Sequence, residues 1–129
     1  MLSLNPYLIQ NIELKNRIVM PPMCMYSAVN GFVQPFHLTH YGSRAMGGVG
    51  MIIVEATAIS PEGRITDKDL GIWDDQFIEG LQSLVQEIHR YGAKAFIQLA
   101  HAGRKSMSSA NPHIAPSSIP FSEEYEQPV

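Results

Sequence analysis

The sequence predicts a parallel α/β domain, and three observations carry that expectation. Short apolar runs alternate with two segments of helical period, giving the order strand, helix, strand, helix, strand. Each unit takes roughly 30–45 residues, the length that a βαβ crossover requires. Met51–Val54 is an unbroken apolar run, the mark of a strand covered on both faces. No internal sequence repeat accompanies the pattern.

Taken in order, Tyr7–Ile9 and Ile12–Leu14 flank Gln10-Asn11 and read as a small hairpin or cap. Arg17–Met20 is a short strand, stopped at Pro21-Pro22 because neither proline offers a ladder N–H. Gly31 to Pro35 reads as loop. Phe36 to Met46 forms a helix with Leu38, Tyr41, Ala45 and Met46 on its apolar side, ended by Gly47-Gly48. Met51–Val54 is the central strand, followed by a loop containing Pro61, Gly63 and Gly71. Asp74 or Asp75 then caps the clearest helix, in which Phe77, Leu81, Leu84, Val85 and Ile88 keep a 3.6-residue period before Gly92. Lys94–Leu99 is the third strand. Beyond His101 the chain, with Pro112, Pro116, Pro120 and Pro128, offers no further core element.

Composition narrows the function classes. The 129 residues are 45% hydrophobic and 16% charged, enough for a core and too little charge for disorder. Nine basic and twelve acidic residues give a net charge of −3 with no Lys/Arg cluster, which disfavours nucleic acid and anionic membranes as partners. No segment has the length of a membrane span, and Met1–Gln10 lacks the layout of a signal peptide. The single cysteine, Cys24, excludes an internal disulfide and fits a cytoplasmic location. The five histidines are scattered, so no metal site is expected.

In parallel α/β proteins, ligands bind at the carboxyl ends of the strands. Here those ends are VMPPMCMYS, VEATA and IQLAHAGRK, which should lie side by side on one rim. Cys24 has three readings there: an inert thiol packed by Met23 and Met25, a nucleophile with His101 as base, or a polarizable contact for an aromatic cofactor. Tyr26, two residues on, shares its face and can donate a hydrogen bond or caps the core. Gln98 closes an apolar strand and needs partners for its amide, which an imide-edged heterocycle or a neighbouring loop would supply. Ala56 is small enough to let a ring approach the backbone. Glu55 reads as a ligand-facing acid or as the partner of Arg44 or Arg104. His101, Arg104 and Lys105 put positive charge near the third strand end. No G-x-G-x-x-G follows a strand and no P-loop is present, so those nucleotide sites are not supported.

KNRIVMPPMCMYS, PFHLTHYGSRAMGGVGMIIVEATAISPEGRITDKDLGIWDD and IQLAHAGRK, in that order and spacing, resemble the Old Yellow Enzyme family, in its subgroup with a PMCMYS motif. The resemblance runs nearly end to end. It implies the N-terminal three or so βα units of a (β/α)8 TIM barrel, preceded by a short β-hairpin, with FMN at the carboxyl-terminal rim. It also implies an ene-reductase that passes hydride from NAD(P)H through the flavin to the C=C bond of an α,β-unsaturated carbonyl compound. On that pattern Pro22, Met23 and Cys24 line the flavin, and Cys24 sits near its reactive face and tunes its potential. Ala56 approaches the ring and Gln98 bonds its pyrimidine edge. Tyr26 contacts substrate, with Cys24 and Tyr26 as the catalytic pair, and Lys105 lies near the entrance. Where the family often has Ser or Ala before PMC this chain has Pro21, so a flavin contact there is through its carbonyl or by packing.

The His/His or His/Asn pair that polarises the carbonyl in the resembled family has no counterpart here, nor do the FMN-binding arginine and late phosphate loops. Three strands of eight cannot close a barrel. Residues 1–129 are therefore expected to form one incomplete domain, completed by a C-terminal segment or a second chain and homo-oligomeric when complete. Two alternatives stand beside the reductase: a non-catalytic fragment or interaction module, and a cysteine hydrolase using Cys24 and His101.

Overall fold

The structure, a computed structural model, describes residues 1–129. Strands β1 (Tyr7–Ile9) and β2 (Ile12–Leu14) form an antiparallel hairpin with Ile9 opposite Ile12. Its tight turn places Gln10 at φ +52. Of its apolar side chains only Leu14 is fully buried, so the hairpin acts as a cap and not as a core layer.

The expected strand at Arg17–Met20 contracts to β3 (Val19–Met20), which runs parallel to β4 (Met51–Ala58) with Val19 beside Met51 and Met20 beside Ile52. Asn16 accounts for the contraction. Its Oδ1 accepts from the Ile18 N–H at 3.0 Å and its Nδ2 donates to the Gly48 carbonyl at 2.7 Å. Gly50 permits that close crossing, because a Cβ there would stand 2.5 Å from the Asn16 carbonyl oxygen.

Helix α1 (Pro35–Met46) starts one residue earlier than the sequence pattern suggests, since a proline in the first turn forfeits no intrahelical bond. Gln34 and His37 form a reciprocal cap in which His37 Nδ1 accepts from the Gln34 N–H at 2.9 Å. Tyr41 and Ala45 are buried and Leu38 packs beside them as expected, but Met46 is 63% exposed. His37 and His40 occupy the buried side instead. The periodicity identified the helix and misjudged one edge of its face, at the last turn.

β4 continues through Glu55, Ala56 and Thr57, which the sequence reading placed beyond its end. An unanticipated two-residue strand, β5 (Leu70–Gly71), pairs parallel with β4 at Thr57 and Ala58. It takes over the edge of β4 that β3 relinquishes at its prolines. Backbone bonds from Ala28 N–H to the Lys68 carbonyl and from Gly71 N–H to the Gly31 carbonyl, both 2.9 Å, tie the crossing loops together.

Asp74 caps a single 3₁₀ turn at Asp75–Phe77, its side chain accepting from the Gln76 N–H at 3.0 Å. Helix α2 (Ile78–Arg90) follows, with Leu84 and Ile88 fully buried and Leu81 and Val85 partly so. Gly92 at φ +73 ends it. β6 (Lys94–Ala100) returns parallel to β4. The core lies between the sheet and the two helices, built on Met20, Tyr41, Ile52, Val54, Leu84 and Ile88.

The residues after His101 are less loose than expected. Ser106, Ser108 and His113 are buried. Ser106 Oγ donates to the Arg64 carbonyl at 2.7 Å and Met107 N–H to the Ile65 carbonyl at 2.8 Å, folding this segment onto the loop after β4. No helix is long and apolar enough to cross a membrane.

Candidate functional site

The sheet order β3–β4–β6 brings the three expected strand ends to one rim. In a parallel pair, residues in register point to the same side of the sheet. Ile52, Val54, Ala95 and Ile97 face the helices. Val19, Met51, Ile53 and Phe96 therefore face the other way, onto a surface that no layer of this chain covers. Pairing runs regularly from Met51–Lys94 to Val54–Ile97, slips at Glu55, and resumes with Ala56 beside Gln98. Glu55 is thus the extra residue of a β-bulge, a device that re-aims side chains at the ends of strands.

The slip has two consequences. It sets Ala56 directly beside Gln98, whose side chain is exposed. It also turns Glu55 inward, where it is 1% exposed. The expectation that Glu55 pairs with Arg44 or Arg104 fails. Its Oε2 accepts from the Met25 N–H at 2.8 Å, and its Oε1 accepts from the Tyr41 hydroxyl at 3.0 Å. Arg44 instead binds the His40 carbonyl, and Arg104 lies over the Phe121 ring. Neutral donors on the buried side satisfy Glu55, so no buried cation is required.

From β3 the chain passes through exposed Pro21, half-buried Pro22 and exposed Met23 to half-buried Cys24. Burial pushes the Cys24 thiol up from its ordinary value. The neighbouring Ala56 N–H and the Tyr26 hydroxyl oppose that rise, and Asp69 and Glu55 add to it. The thiol therefore stays protonated at neutral pH and is a poor nucleophile. Tyr26 is 43% exposed with φ +50, in the left-handed region that a non-glycine residue seldom adopts. It borders an open hollow of about 560 Å³ lined also by Thr66, Asp67, Lys68 and Met107.

The structure thus brings Cys24, Tyr26, Ala56 and Gln98 to one rim, beside Pro21, Pro22 and Met23. Lys105 is engaged elsewhere, with its Nζ 4.1 Å from the centre of the Phe121 ring. His101 Nδ1 accepts from the Gly103 N–H, and its Nε2 lies 3.9 Å from Glu62. The thiol–imidazole hydrogen bond that a cysteine hydrolase needs is not made. No group of three or more His, Cys, Asp or Glu side chains is arranged to hold a metal ion.

The sequence reading missed His37 and Tyr41 as neighbours of the site. The signal was there in HLTHY, since His37 and Tyr41 are one helical turn apart and both face Glu55.

Comparison with known proteins agrees with this architecture. The model of the NADH:flavin oxidoreductase / NADH oxidase family matches residues 4–127. NADPH dehydrogenases of Bacillus cytotoxicus and Bacillus pumilus are each 58% identical over 127 residues, which is 97% of this chain but 36% and 37% of theirs. Among solved structures, an Old Yellow Enzyme from Pichia sp. AKU4542 superposes with TM-score 0.84 at 31% identity, over 95% of this chain and 33% of that one. Morphinone reductase gives TM-score 0.83 at 30% identity, over 92% and 32%. The chain spans about a third of the length of these relatives, and its parallel sheet with flanking helices is the corresponding part of their (β/α)8 barrel. Membership implies FMN as cofactor and NAD(P)H as reductant. The chain belongs to the NADH:flavin oxidoreductase / NADH oxidase family, of which the Old Yellow Enzymes are members.

Proposed function

We propose that this chain supplies one wall of the flavin pocket of a cytoplasmic, FMN-dependent ene-reductase, which reduces the C=C bond of α,β-unsaturated carbonyl compounds with NAD(P)H. The observation that carries it is the register of Ala56 with Gln98 at the carboxyl ends of β4 and β6, with the Cys24 thiol beside the Ala56 amide. Residues 1–129 are one incomplete domain on this reading. The rest of the barrel, in the same polypeptide or on a second chain, contributes the opposite wall, and the complete protein is a homo-oligomer.

The residues present fit FMN. Ala56 has only a methyl to interpose, so a planar ring can lie close to the strand backbone. Gln98 is exposed on the uncovered face of the sheet and offers both a carbonyl and an NH₂ to an imide edge. Pro21, Pro22 and Met23 supply an apolar lip without competing N–H donors at the prolines. When bound, FMN supplies the hydride-transfer chemistry, and the protein supplies position and electrostatics. Cys24 presents a neutral, polarizable sulfur, and Tyr26 extends a phenol toward the hollow where a carbonyl substrate would enter. Burial pushes that phenol up from its already high ordinary value, so at neutral pH it is protonated and able to donate a hydrogen bond. Lys105 would join the entrance only by leaving Phe121.

The test is flavin retention in the protein completed with the remaining barrel. Copurified FMN and consumption of NAD(P)H with an enone are expected. Gln98→Ala, at an exposed position, should lower flavin occupancy without unfolding the domain. A completed, folded protein that takes up no FMN would overturn the reading.

A further inference from the structure

We propose that Glu55 is a positioning residue for the Cys24–Tyr26 segment: from the bulge in β4 it clamps the Cys24–Met25 peptide and fastens it to α1. Three observations converge. The Met25 N–H belongs to the peptide unit that joins it to Cys24, and it donates to Glu55 Oε2 at 2.8 Å. The second carboxylate oxygen accepts from Tyr41 at 3.0 Å, while the Tyr41 hydroxyl accepts the Glu55 N–H at 2.9 Å. The bulge and the helix are thus locked by a reciprocal pair of bonds that no water reaches, with Tyr41 and Glu55 both essentially inaccessible.

The third observation is an unpartnered donor. His37 Nδ1 accepts from the Gln34 N–H, which leaves the proton of a neutral ring on Nε2. That buried Nε2 has no hydrogen-bond partner and stands 3.8 Å from Glu55 Oε1. Glu55 therefore sits where three donors converge, two bonded and one just out of reach.

Such a clamp has a reason to exist. Two prolines release the chain from the sheet at Pro21, and Tyr26 holds a left-handed backbone that costs energy without external support. Between them the backbone is tied back to β4 at Met25, whose N–H donates to Glu55, while Cys24 meets the same strand through its side chain beside the Ala56 amide. Fixing that peptide fixes the direction of the thiol before it and of the phenol after it. The consequence for catalysis rests on the flavin reading above, but the clamp itself does not.

Cys24 is the only cysteine, so alkylation by iodoacetamide read by intact mass reports one site. In the 129-residue chain, Glu55→Ala should raise the alkylation rate about tenfold as the thiol is released from burial. Glu55→Gln keeps a carbonyl oxygen for the Met25 N–H while removing the charge, and should stay within about twofold of the unsubstituted protein. An unchanged rate in a folded Glu55→Ala chain overturns the proposal. So does a Glu55→Gln rate equal to that of Glu55→Ala, which would make charge and not the hydrogen bond the cause. Where circular dichroism shows that Glu55→Ala does not fold, amide exchange in the unsubstituted chain decides. A Met25 amide protected well beyond those of Met23 and Tyr26 supports the clamp, and exchange at their rate overturns it. Loss of flavin binding in the completed protein would leave these results standing, so the two readings fail separately.

Discussion

β4 and β6 are neighbours, paired over most of their length, yet they live in different environments. From Ile52 on, all but one of the residues of β4 are buried, whereas β6 alternates between half-buried and exposed, with Leu99 62% exposed. Their sequences, MIIVEATA and KAFIQLA, are about equally apolar. The difference lies in what flanks them. β4 has β3 and β5 on one edge and β6 on the other, with α1 packed across its helix-facing side while α2 lies over β6. β6 has a neighbour on one edge only, so its inner face and outer edge meet solvent, as in a barrel interrupted at that point. Burial within a sheet is set by neighbours and not by the strand's own hydrophobicity.

Core deletion should separate the two strands most clearly. Ile52→Ala in β4, or Leu84→Ala in the helix packed on the sheet, should cost about 2–5 kcal/mol in urea denaturation. Both side chains are fully enclosed, so their removal leaves a cavity. An effect as small as that of a β6 substitution would deny that β4 is the centre of the core.

Tyr41→Phe comes next. It deletes the hydroxyl that bridges α1 to the bulge and strands the Glu55 N–H, at a cost of about 1–3 kcal/mol. Equilibrium unfolding of Tyr41→Phe beside the unsubstituted chain measures it. A neutral result would mean that the bulge is held by β6 alone.

Acidification should have a graded effect. His37 and His40 are both held below the ordinary histidine pKa, chiefly by burial. Folding therefore opposes their protonation, while the unfolded chain binds protons at an ordinary pKa near about 6.5. Their contribution is complete above that value. It declines as pH falls below it, by at most about 1.4 kcal/mol per pH unit for each ring, until the folded pKa is passed. Asp69 is raised by burial and acts with the opposite sign, adding stability as pH falls through its raised pKa toward about 3.8. Urea midpoints should hold above about pH 6.5 and drop as pH falls below it, with a smaller drop in His40→Gln.

Leu99→Ser should have the smallest effect, within about 0.5 kcal/mol in this chain, because the side chain is already in water. Once the remaining barrel is added the same change should become costly. Comparing Leu99→Ser before and after completion tests directly whether β6 is an interrupted edge.

Much of this was legible in the sequence because it rests on local rules. The period of α2, its Asp74 cap and Gly92 stop, the Met51–Val54 run and the proline stop after β3 all follow from backbone geometry and side-chain spacing. The motifs at the strand ends marked the family and the rim. What escaped depends on contacts between segments distant in the chain. The two-residue β5 exists only because β3 vacates an edge of β4. Met46 is exposed because nothing packs on that part of the last turn, and Ser106 and Ser108 are buried because the loop at Arg64–Asp67 receives them.

The sequence by itself determined the order of elements, the family, and the gathering of Cys24, Tyr26, Ala56 and Gln98 at one rim, because periodicity, turn chemistry and long motifs are written along the chain. Only the tertiary structure decided the role of Glu55. A carboxylate in an apolar strand implies a partner without naming it, and the choice fell to Tyr41 and Met25 when a one-residue bulge turned the side chain inward. A bulge is a mismatch between two strands, and one strand read alone does not contain it.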